Sequence, residues 1–166
     1  MLADLLEMGL RAVIVGTAVT EESAARGHYY AAPGDEMWRL LHEAGLTSVR
    51  LTPELGHQLP RHGVGLTDLA KNVAQSHDRG LVYDLPSFAS KIERFHPAWV
   101  GFNGQEAAEV FTGQGRIYLG QQAWSVVSRP VFVLPSSSAA NRSSPYDGRA
   151  TRLEWWSEFR ELVRAV

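Results

Sequence analysis

Apolar residues fall along this chain in two rhythms. Arg11-Ala-Val-Ile-Val-Gly-Thr17 is a short continuous apolar run closed by glycine, the pattern of a strand buried on both faces of a parallel sheet. Trp99-Val-Gly-Phe102 and Pro130-Val-Phe-Val-Leu134 repeat it. Val64-Gly-Leu-Thr-Asp-Leu69 reads as a further strand, with two glycines inside it. Between these runs the spacing becomes helical. Met37, Leu40, Leu41 and Ala44 lie on one face of a helix that Asp35 can N-cap, Glu36 suits in its first turn and Gly45 closes. Leu85 to Phe95 reads as a helix with Pro86 in its first turn and Pro97 beyond its end. Gly104 to Phe111 reads as another. The last begins near Thr151, with Leu153, Trp156, Phe159 and Val163 on one stripe. Residues 19–33, 46–63 and 135–145 read as loops. The glycines at 113, 115 and 120 read as a turn-rich connection.

Strand and helix alternate four times. That order predicts an α/β fold, a three-layer αβα arrangement with a four-stranded parallel sheet and right-handed crossovers. With 166 residues, one domain over 1–166 is expected. In such folds ligands sit outside the carboxyl ends of the strands, so segments 16–35, 67–75, 102–105 and 135–145 are the ones to inspect. They hold Thr17, Tyr29, Tyr30, Asp35, Asp68, Asn72, Asn103, Gln105, three consecutive serines and Asn141-Arg142.

Composition narrows the chemistry. Apolar residues make up 45% and charged residues 20%, as in an ordinary globular protein. With no cysteine, a thiolate nucleophile, a zinc ribbon and a disulfide scaffold are ruled out. The six histidines are scattered at 28, 42, 57, 62, 77 and 96, without metal-ligand spacing, so no metal and no cofactor is expected. A net charge of −2 offers no global field for nucleic acid, so DNA binding would depend on local geometry. Neither a Gly-x-Gly-x-x-Gly nor a Walker sequence is present, which argues against dinucleotide and nucleoside triphosphate sites. No export signal and no apolar run of ~20 residues occurs; the expected compartment is the cytoplasm and the expected state a monomer.

Four segments in order carry a family resemblance: Gly27-His-Tyr-Tyr-Ala-Ala-Pro-Gly-Asp-Glu-Met-Trp38, Gly63-Val-Gly-Leu-Thr-Asp-Leu69, Phe102-Asn-Gly-Gln105 and Leu134-Pro-Ser-Ser-Ser-Ala139. Together they resemble the mismatch-specific uracil and thymine branch of the uracil-DNA glycosylase superfamily. The resemblance implies a monofunctional enzyme that hydrolyses the N-glycosidic bond of a flipped-out uracil in DNA. Hypoxanthine is the nearest alternative substrate. A non-catalytic DNA-damage binding module and a small-molecule-binding α/β protein are the readings from other classes.

The chain departs from that family at its first motif. The family's strand-end asparagine positions the attacking water, but here the segment reads Gly16-Thr-Ala-Val-Thr20, and Ala18 stands in that place. The water then needs another holder, for which Asp35 ranks first and Asn103 second. Asp35 also suits an N-cap and Asn103 a turn before Gly104. The resemblance implies that Tyr30 stacks on the base and that the Thr17–Ala18 turn meets its oxygens. Asp68 can accept from uracil N3–H or hold a loop. Ser136, Ser137 and Ser138 would meet phosphates flanking the lesion. Ala139, Ala140 and Asn141 would fill the space left by the base, with Arg142 at a phosphate or groove edge.

Overall fold

The computed structural model describes residues 2–71 and 81–164; Asn72 and His77 lie outside them. Five strands form one sheet: β1 (Ala12–Gly16), β2 (Val64–Asp68), β3 (Trp99–Asn103), β4 (Gly120–Val126) and β5 (Arg129–Leu134). Their order is β2-β1-β3-β5-β4. The first four in that order run parallel, and β4 pairs antiparallel with β5 at the edge.

The expected four-stranded parallel sheet is therefore corrected to five strands, one of them antiparallel. The missed strand, β4, alternates between buried and exposed positions and carries Gln121, Gln122 and Ser125, so no apolar run announces it. The turn joining it to β5 places Val127 and Ser128 at φ 47° and 66°, a geometry normally signalled by Asn-Gly. Two segments read as loops also contain helix: α1 (Glu21–Arg26), whose Thr20 side chain accepts from the Ser23 N–H, and a 3-10 helix over Pro53–His62. The remaining helices are α2 (Met37–Glu43), α3 (Leu85–Phe95), α4 (Gln105–Thr112) and α5 (Arg152–Arg164). Among the described residues no helix is long and apolar enough to cross a membrane.

All five residues of β1 are buried, as a central parallel strand requires. The period-two alternation of β3 divides the core. Phe102 meets Phe88 of α3 and Phe111 of α4 on one face. Trp99 meets Phe159 of α5 on the other, and a Cβ at Gly101 would lie 3.0 Å from that same ring. Helices thus cover both faces. β1 has β2 on one side and β3 on the other, so the chain runs out to β2 and crosses back to β3. This reversal opens a crevice at the carboxyl ends of β1 and β3, where Gly16 and Asn103 lie.

Candidate active site

A cavity of about 480 Å³ opens at that crevice. Its wall brings together Thr17, Ala18, Tyr30, Asp35, Asp68 and Asn103 with Ser136, Ser138, Ala139, Ala140 and Asn141. Thirteen residues were expected at the site from sequence; Ser137 and Arg142 alone are off this wall. Ser137 is fully buried behind it. Arg142 bends back, its Nε donating to the Ala139 carbonyl at 2.9 Å and its Nη2 to that of Gly34 at 3.4 Å.

Gly16 sets the floor. A Cβ there would lie 2.8 Å from Asp68 Oδ1 and 3.0 Å from the Tyr30 hydroxyl, so only glycine lets both polar groups converge at the strand end. Tyr30 sits at φ 51°, a sparsely occupied conformation for a bulky residue. Tyr29 instead packs into the core. Burial pushes the Tyr30 phenol well up, helped by the Asp68 charge and opposed by a hydrogen bond with Asn103. Tyr30 therefore stays protonated.

Asn103 links two sides of the cavity. Its Oδ1 accepts from the Ser137 N–H at 3.0 Å and its Nδ2 donates to Ser137 Oγ at 3.1 Å. With its bond to Tyr30, most of the amide's capacity is engaged. Ser137 continues the chain to the Asp35 carboxylate, while the Ser137 carbonyl accepts from the Glu36 N–H at 2.9 Å. Asp35 is not the N-cap of α2; that place falls to Glu36, whose side chain caps nothing. The Asp35 carboxylate nonetheless accepts from the Met37 N–H at 3.0 Å. Burial raises its pKa, opposed by the bonds from Met37 and Ser137 and by the Arg152 charge. One carboxylate thus steadies the helix entry and faces the cavity.

Asp68 is buried at the end of β2, and its Oδ2 has no hydrogen-bond partner. Burial pushes its carboxyl up to about 6. Lys71 Nζ lies 3.8 Å from Oδ2, close enough for charge but not for a hydrogen bond.

The serine segment is held from below by a residue that the sequence reading missed. Arg152, only 7% exposed, donates from Nη1 to the carbonyls of Ser136 at 2.9 Å and Ser138 at 3.0 Å. Its Nη2 lies 3.9 Å from Glu36. A cation in the first turn of a helix opposes the helix dipole; that misplacement was the available signal. Above it, Ser136 Oγ accepts from the Ser138 N–H, Ser138 Oγ from the Ala140 N–H, and the Asn141 amide donates to the Ser136 carbonyl. The segment is a folded turn, not a free linker. Among the described residues no cluster of three or more His, Cys, Asp or Glu could hold a metal ion.

A solved structure shares this fold. The solution NMR structure of a Methanosarcina acetivorans protein bearing a provisional uracil DNA glycosylase name superposes with a TM-score of 0.64 at 21% identity, covering 98% of this chain and 96% of that one. At that identity the likeness concerns the fold alone. The sequence itself matches the family model described as the uracil DNA glycosylase superfamily over residues 3–160. That match takes in every strand and each wall of the strand-end cavity, and it makes the chain a DNA glycosylase belonging to the uracil DNA glycosylase superfamily.

Proposed function

We propose that this protein is a monofunctional uracil-DNA glycosylase that hydrolyses the N-glycosidic bond of a uracil flipped out of DNA. One observation carries the reading: Asp35, on the cavity wall, is joined through Ser137 and Asn103 to Tyr30. A base platform and a water acceptor thereby share one hydrogen-bonded frame. The base enters the cavity and stacks on Tyr30, a contact worth roughly 1–3 kcal/mol. The C1′–N bond breaks with its electron pair leaving on the base, and N–H donors of the Thr17–Ala18 turn stabilise the charge growing on the base oxygens. A water held by Asp35 bonds to C1′ and passes its proton to the carboxylate. The same negative charge favours the oxocarbenium-like sugar. Among the described residues no lysine lines the cavity, which supports attack by water over a Schiff base.

Hypoxanthine is the second reading. The small side chains of Ala18, Ala32, Ala139 and Ala140 on the wall leave width for a bicyclic base. The deciding experiment is single-turnover release of U, T, hypoxanthine and xanthine from single- and double-stranded oligonucleotides. Uracil release without a borohydride-trapped enzyme–DNA adduct is expected. Release of no base, with DNA binding retained, would instead make the protein a damage-binding module.

A further inference from the structure

Tyr30 holds its place in the cavity against its own backbone preference. A φ of 51° is costly for a bulky residue and persists only where the surroundings over-determine it. Both of its neighbours in the chain are pinned. The Ala31 N–H donates to the buried Ser23 Oγ at 3.0 Å, and the Tyr29 carbonyl accepts from Trp38 Nε1 at 3.3 Å. A further pin comes from outside the loop: Lys71 Nζ donates to the Tyr29 hydroxyl at 3.1 Å. The residue before Tyr30 is therefore fixed at its carbonyl and at the far end of its ring. The two tyrosine rings lie 6.1 Å apart.

Lys71 is itself placed by the N-terminal segment. Its ammonium carries three N–H donors, and the other two go to the Leu2 carbonyl at 2.8 Å and to Asp4 Oδ1 at 3.0 Å. Asp4 is held in turn by Lys91 of α3 at 2.7 Å and by the Thr67 hydroxyl at 2.8 Å. Leu5 exchanges two backbone hydrogen bonds with Leu66 of β2, at 3.0 and 2.9 Å, which clips the segment to the sheet edge. A line of polar contacts thus runs from the sheet edge through Asp4, Lys71 and Tyr29 to the residue beside Tyr30.

We propose that Lys71 and Asp4 are positioning residues for the base platform: through the Tyr29 hydroxyl they hold Tyr30 in the conformation that faces the cavity. The N-terminal segment then helps to build the site, although none of the described residues before Gly16 lines the cavity. The Tyr29 ring serves the core, and its hydroxyl serves the platform. The inference rests on the reading of Tyr30 as the surface on which the base stacks, and adds what holds that surface in place.

The test is single-turnover uracil release, at saturating enzyme and well below each melting temperature, in Lys71→Met, Asp4→Asn and Tyr29→Phe. Each variant is made in the wild-type and in the Tyr30→Ala background. Loss of the whole platform sets a ceiling of about 5- to 150-fold. Lys71→Met and Tyr29→Phe should each slow release by about 3- to 10-fold, inside that ceiling, and Asp4→Asn by less. In the Tyr30→Ala background these losses should vanish, because no ring is left to place. A merely structural defect would slow both backgrounds alike. Tyr29→Phe removes one oxygen and keeps the core ring, so it decides the matter even where Lys71→Met fails to fold. Wild-type release by Tyr29→Phe, or losses that persist in full beside Tyr30→Ala, would overturn the proposal. If the wild-type protein releases no base, or Tyr30→Ala releases it at the full rate, the underlying reading fails separately. Amide hydrogen exchange in the free protein then decides the positioning role. Faster exchange at Ala31 in Tyr29→Phe, with the β1 amides unchanged, supports it; an Ala31 amide protected as in wild type overturns it.

Discussion

The proposed reaction gives four side chains on the cavity wall, Asp35, Asn103, Tyr30 and Asp68, separable consequences that can be measured. Asp35→Ala should lower single-turnover uracil release by about 10²-fold or more, the scale for losing a positioned acid–base group. Asn103→Ala should cost less, because its amide faces Ser137 and acts through it. Equal rates in Asp35→Ala and wild type would remove Asp35 from the reaction. Tyr30→Ala should slow release by removing the platform, whereas Tyr29→Ala should chiefly lower the melting temperature, since the Tyr29 ring belongs to the core while the Tyr30 ring only packs against it. Release kinetics and thermal melts on both variants separate these effects. Asp68 makes a prediction about stability. Its folded pKa of about 6 lies above the ordinary 3.8, so between those values the folded state holds more protons than the unfolded one. Stability therefore falls as pH rises from about 4 to about 6 and stays reduced above. Asp68→Asn should gain about 1–3 kcal/mol at pH 7.5, on the scale of 1.36 kcal/mol per pKa unit, and nothing below pH 4. Urea melts at the two pH values check this.

Elements place those side chains, and their legibility differed with burial. β1, β3 and β5 were readable because a strand covered on both faces must be apolar throughout; Ala12 to Val15 and Val131 to Leu134 are all buried. β4 was not readable, because an edge strand needs only one covered face and its Val127-Ser128 turn carries no turn signature. The candidate residues that flank readable strands, Asp68 and Asn103 among them, lie on one cavity wall. Lys71, Asp4 and Arg152 were missed because each is tied to partners 14 to 69 positions away in sequence, which no local pattern encodes. Arg152 is the most testable of them. Arg152→Met should release the serine turn, with the KM for uracil-containing duplex rising more than kcat falls. The cost in stability should be about 1–3 kcal/mol, as for buried carbonyls left without a charged donor. Arg152→Lys should be intermediate, because a point charge reproduces one bond of the planar fork. Steady-state kinetics with denaturant melts measure both, and an unchanged KM in Arg152→Met would sink the positioning role.

The whole molecule carries a net charge of −2, so DNA must be gripped by a few local contacts rather than drawn in by a broad field. A shallow salt dependence of DNA affinity is expected, with a log–log slope of about −1 to −3 for one to three neutralised phosphates. Fluorescence anisotropy across potassium chloride concentrations measures it, and a slope near −6 would reveal an extended basic surface instead. The cavity takes one wall from each of four parallel strands, so it exists only when the sheet is in register. The hold that Arg152 exerts on the serine turn has a consequence in time. The turn at 136–141 is synthesised before its anchor, and the helix that brings the anchor also lays Trp156 and Phe159 onto the core. Assembly of the cavity wall and closure of the core therefore both wait on α5. A growing polypeptide that has made all five strands still lacks the cation that ties the serine turn in place, and gains it only when α5 is made.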